Sequence, residues 1–88
     1  MKDRFKDYLE EEGYSVITPS GYPSTVYDYT KRIDKVLEIE GLTWDDLPNH
    51  IDRIVDDYDT GGINENIGNE SNRAVINALK RFQDFCHK

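Results

Sequence analysis

Residues 71–88 read SNRAVINALKRFQDFCHK, and the spacing of their apolar side chains decides the fold class. Val75, Ala78, Leu79, Phe82, Phe85 and Cys86 recur at i, i+3, i+4, i+7, i+10 and i+11. An α-helix turns once in about 3.6 residues, so these positions form a single stripe. Arg73, Asn77, Lys80, Arg81 and Lys88 project from the opposite side. The segment holds four bases and one acid, in a chain of 88 residues with formal net charge −7. The spacing predicts a helix from Asn69 or Ser71 to about His87, apolar inward and cationic outward.

Upstream, the same periodicity recurs three times. Phe5, Tyr8 and Leu9 share a face over residues 2–12, and Gly13 is placed to end that helix in a left-handed conformation. Ser24 or Thr25 can cap a second helix, with Val26, Tyr29, Ile33, Val36 and Leu37 as its stripe and Gly41 as its stop. Thr43 and Asp46 have capping-box spacing and predict a short turn near 44–47 that Pro48 ends. Leu47, Ile51, Ile54, Val55 and Tyr58 make a third stripe, with a helix over about 49–58. Residues 13–23, with two prolines and two glycines, read as a loop. So do residues 59–70, where only Ile63 and Ile67 offer apolar anchors. No segment alternates with period two, so no sheet is expected. The predicted architecture is an all-α single domain: a small four-helix bundle centred on the second and last helices.

Composition limits the function classes. A hydrophobic content of 36%, with six Tyr, three Phe and one Trp, is enough for one small core. No apolar run is long enough to span a bilayer, and the charged start MKDRF lacks the apolar region of a secretory signal. The one cysteine, Cys86, cannot form an internal disulfide. Together these features point to the cytoplasm. Charge is segregated. Residues 38–70 hold ten acids and a single base, Arg53. A net negative chain is repelled by nucleic acid at long range, so any such contact requires a local basic surface turned away from the acidic middle.

Chemical motifs are sparse. Counted from Asp57, the acidic loop matches calcium-loop positions 1, 3 and 6, but Gly61 and Gly68 stand where ligands are needed. His50, Cys86 and His87 lack zinc spacing. Adjacent helical residues such as Cys86 and His87 point about 100° apart, which disfavours a nucleophile–base pair. Gly61-Gly62 is not a phosphate-binding loop. No metal or cofactor is expected, and no catalysis. Tyr14, Tyr22 and Tyr27 are candidates for stacking on bases or anchoring a partner, or else for closing the long loop over the core. Lys31, Arg32 and Lys35 form one basic face and Arg73, Lys80 and Arg81 another. They act jointly only if their helices lie side by side.

The order Phe5-x-x-Tyr8-Leu9, Pro23-Ser24-Thr25-x-x-x-Tyr29-x-x-Arg32-Ile33, Leu42-Thr43-x-x-Asp46-Leu47, then Ser71-Asn72-Arg73 running to Lys80-Arg81-Phe82 and Phe85, resembles the N-terminal core-binding, SAM-like domain of tyrosine recombinases (phage integrases). The resemblance covers nearly the whole chain. It implies a small helical bundle that clamps one side of duplex DNA through its second and last helices. Contacts would come from Thr25, Tyr29, Lys31, Arg32 and Lys35, and from Ser71, Asn72, Arg73, Asn77, Lys80 and Arg81. There is no room for the family's catalytic domain, so the expected role is a non-catalytic DNA-binding module. About five phosphate contacts would give a salt slope near −4 to −5. The alternative is a protein-interaction adaptor that binds a basic partner through residues 38–70, with Trp44 and Tyr58 as anchors.

Overall fold

The computed structural model describes residues 1–14 and 25–87. The expected cap at Ser24, the short Val16-Ile17 pair, Tyr22 and most of the 13–23 loop lie outside them. Every regular element among the described residues is helical: α1 (Lys2–Glu11), α2 (Thr25–Glu40), a single 3-10 turn (Leu47–Asn49), α3 (Ile51–Tyr58), α4 (Glu65–Gly68) and α5 (Glu70–Cys86). The all-α reading therefore holds, with one four-residue helix more than expected.

The long helix α5 is the hub. It packs on α1, α2, α3 and α4, and most extensively on α2. The reason lies in the stripes. Val75, Ala78, Leu79 and Phe82 of α5 are buried, as are Val26, Ile33, Val36 and Leu37 of α2 and the whole third stripe, Leu47, Ile51, Ile54, Val55 and Tyr58. Two buried residues fall beside the predicted stripes, Ile76 and Thr30. Thr30 is accommodated because its hydroxyl donates to the Tyr27 carbonyl at 2.9 Å. Tyr29, Phe85 and Cys86 are only partly buried at the margin of the core.

One end of the core is aromatic. Phe5 meets Phe82 edge-on at 5.1 Å between ring centroids, and Phe82 meets Trp44 at 5.9 Å and Phe85 at 5.6 Å. Asp34 fastens this end from the α2 side. Its carboxylate accepts the Trp44 indole N–H at 2.7 Å and the Lys2 ammonium at 2.9 Å. At the other end the Tyr58 hydroxyl donates to Glu40 at 3.0 Å, and Arg53 bridges Glu40 and Asp57. Burial and the Glu40 carboxylate together push the Tyr58 phenol well above its ordinary pKa, so it remains a donor.

The helix stops are those the sequence predicts. Gly13 and Gly41 have φ of 96° and 71°, a region that favours glycine, and the Tyr14 and Leu42 amides return to the Leu9 and Leu37 carbonyls. The Thr43–Asp46 box also forms. Asp46 accepts from the Thr43 hydroxyl at 3.0 Å and backbone N–H at 3.2 Å, while the Asp46 N–H donates to the Thr43 hydroxyl at 3.3 Å. Pro48 does not end this turn, however. It sits inside the 3-10 turn at its first positions, where its missing N–H has no partner to lose.

Two segments depart from expectation. Residues 59–70 are not an open loop throughout: residues 65–68 form α4, and Gly68 is buried against the α3 backbone. Ile67 packs on the core, while Ile63 is 86% exposed and anchors nothing. The start of α5 is also unusual. Ser71, Asn72 and Arg73 have φ of 54°, 59° and 68°, a left-handed turn, so right-handed helix begins only at Ala74. Each non-glycine residue held there costs roughly 1–2 kcal/mol, less for Asn. Ser71→Gly should therefore raise the free energy of unfolding by about 1 kcal/mol. Urea denaturation measures it; a loss of similar size would mean that residue 71 is right-handed helix.

Candidate nucleic-acid interface

Packing of α2 on α5 sets Tyr29 of α2 beside part of the α5 basic face, while Lys31, Arg32 and Lys35 do not line the groove between them. Tyr29 of α2 and Asn77, Lys80, Arg81, Gln83 and Asp84 of α5 line one open groove. Arg81 lies over the Tyr14 ring at 5.9 Å, and Tyr14 meets Tyr29 edge-on at 5.6 Å. Tyr14 is therefore half-buried in a ring pair rather than an exposed stacking platform. Tyr27 is 49% exposed, with the Lys31 ammonium 5.9 Å from its ring centre.

Of the eleven residues predicted to touch DNA, Tyr29, Asn77, Lys80 and Arg81 share this groove. Thr25 and Lys31 are exposed on α2 outside it, and Ser71 and Asn72 are exposed in the left-handed turn. The remaining three, Arg32, Lys35 and Arg73, are engaged within the protein. Arg32 lies 3.6 Å from Asp28, with its Nε buried and without a hydrogen-bond partner among the described residues. Lys35 is ion-paired with Glu70 at the start of α5. Arg73 donates to Asp59 at 3.2 Å.

The groove cations are paired as well. Lys80 reaches the second oxygen of Asp59 at 3.0 Å, and Arg81 lies 3.6 Å from Asp84. Asp59 thus receives Arg73 on one oxygen and Lys80 on the other, with the Thr60 N–H donating at 2.8 Å. That backbone bond, followed by the Lys80 ammonium, holds its carboxyl below the usual carboxylate range, so it stays ionised at neutral pH. Two fully free cationic ridges, the expectation from periodicity, are not what the fold presents. The Asp28–Arg32 and Arg81–Asp84 pairs lie one helical turn apart in sequence and are legible there. Asp59 and Glu70 are brought in by tertiary packing, and no local signal announces them.

The other candidates resolve as structural groups. Tyr58 is fully buried and cannot anchor a partner; Trp44 is partly buried with its N–H bound to Asp34. The adaptor reading thereby loses Tyr58 as an anchor, while Trp44 keeps a partly exposed ring. Burial, then the Asp52 carboxylate, pushes the Cys86 thiol up, away from the reactive thiolate. Asp52 accepts the Gln83 amide at 2.9 Å and lies 3.0 Å from His87 Nε2, which ties the end of α5 to α3. Among the described residues no three His, Cys, Asp or Glu side chains cluster to hold a metal ion, and no helix is long and apolar enough to cross a membrane. No family model, no curated protein and no solved structure matches this chain.

Proposed function

We propose that this domain is a non-catalytic module that rests on duplex DNA with its α2–α5 flank, in the setting of site-specific recombination and within the cytoplasm. The observation that carries the reading is the single groove in which Tyr29 of α2 meets Asn77, Lys80 and Arg81 of α5. Two cations and two neutral hydrogen-bonding side chains share one surface there, beside Gln83 and Asp84. The resemblance to recombinase core-binding domains points to the same two helices.

The chemistry is that of backbone contact. Lysine and arginine neutralise phosphates and release condensed counterions, while Asn77 and Tyr29 supply neutral groups for hydrogen bonding. Because Lys35, Arg73 and Lys80 are bound to carboxylates of the same chain, fewer cations face outward than the sequence promises. Lys31 and Arg81 are the most available, so log K should fall with log salt with a slope of about −2 rather than the −4 to −5 of five free cations.

Titrating the isotope-labelled protein with a short duplex at low salt tests this. Amide shifts are expected within residues 25–35 and 71–81, and K31E/R81E should abolish them while the fold persists. Silence toward DNA, with a basic protein shifting residues 38–70 instead, would replace this reading with the adaptor.

A further inference from the structure

We infer that Arg73 and Lys80 form a phosphate-binding pair whose place is held in the free protein by the Asp59 carboxylate, and that Glu70 occupies Lys35 in the same way. The inference rests on the DNA-binding reading and adds to it an internal competitor for the bound phosphates.

Three observations converge. First, Asp59 is held by both oxygens at once, Arg73 on one at 3.2 Å and Lys80 on the other at 3.0 Å. A phosphodiester presents the same feature, two anionic oxygens sharing one negative charge, so the two cations can accept it in exchange. Second, the groups are within reach of solvent. The Arg73, Lys80 and Lys35 side chains are 48%, 43% and 46% exposed, and Asp59 and Glu70 are 31% and 42% exposed. Ion pairs this open contribute little to stability, so a polyanion can displace them without dismantling the fold. Third, Lys80 also lines the α2–α5 groove, which places the occupied pair at the edge of the proposed DNA surface. Asp59 caps the end of α3 and Glu70 opens α5, so the two competitors flank the 59–70 connection.

The substitutions Asp59→Asn and Glu70→Gln keep shape and remove charge. Anisotropy of a labelled duplex should show each variant binding about tenfold tighter than the native protein near 50 mM salt, with a slope steeper by about 0.9 per cation released. Adding Lys80→Gln to Asp59→Asn should remove part of that gain, and adding Arg73→Gln as well should remove the rest. Asp56→Asn, an exposed acid on α3, makes the same change in net charge but frees neither Arg73 nor Lys80, which pair with Asp59, so its gain should be several-fold smaller than that of Asp59→Asn.

If the native protein binds and neither variant binds tighter, or if D56N gains as much as D59N, the internal competitor is overturned while the DNA reading stands. If neither the native protein nor any variant binds duplex, the DNA reading itself fails. Should D59N not fold, E70Q carries the test alone through release of Lys35.

Discussion

Phe82→Ala should lower the free energy of unfolding by about 3–5 kcal/mol, the range for removing a large aromatic side chain from a core. Phe82 is fully buried and touches Phe5, Trp44 and Phe85, so its ring joins α1, the 43–46 turn and α5. Truncation removes transfer free energy and leaves a cavity that three large rings cannot fill without rotating away from their edge-on contacts. Small domains hold roughly 5–15 kcal/mol in total, so the variant should be largely unfolded at 37 °C. Near-ultraviolet circular dichroism follows the loss of fixed Trp44 and Tyr environments, and urea denaturation gives the free energy. Phe82→Leu retains most of the volume and should lose about 1.5 kcal/mol. A loss under about 1 kcal/mol for the alanine variant would place the centre of the core elsewhere.

Gly68→Ala is the second large effect, and its cause is different. Gly68 ends α4 with its backbone against the end of α3. A Cβ added there would collide with the Tyr58 carbonyl oxygen and lie 2.9 Å from the Tyr58 carbonyl carbon. Backbone cannot swing aside as a flexible side chain can. Accommodation requires α4 to lift from α3, which also moves the 59–70 connection and the start of α5. The expected loss is about 3 kcal/mol, the upper part of the overpacking range. Asn66→Ala, on the exposed side of the same short helix, should change stability by less than about 0.5 kcal/mol. Urea titration of the two variants side by side checks this, and equal effects would show that α4 is not seated on α3. A lifted α4 should also expose amides of residues 65–75 to hydrogen exchange before those of residues 26–37.

The two variants mark how far periodicity reaches. Phe82 is legible as core because it lies four residues after Ala78 and three after Leu79 on a stripe that continues for several turns. The caps at Thr43, Gly13 and Gly41 are legible for a related reason: each is a local bargain between a side chain or a permissive backbone and the nearest unsatisfied amides. Gly68 is not legible. It looks like any loop glycine, and only the approach of α3, ten residues earlier in the chain, makes a Cβ intolerable. The left-handed turn at Ser71–Asn72–Arg73 is hidden in the same way, since these residues are compatible with the first turn of an ordinary helix.

The candidate interface divides along the same line. Local pattern alone specifies an all-helical chain, its buried stripes, and the membership of Lys31, Lys35, Lys80 and Arg81 in two outward faces, because burial and helical geometry repeat every few residues. Only the folded arrangement decides that Tyr29 meets Asn77, Lys80 and Arg81 in one groove, and that Asp59 and Glu70 take up Arg73, Lys80 and Lys35. Electrostatic partners are chosen by distance in space, and a carboxylate brought in across 14 or 35 residues leaves no periodic trace in the chain.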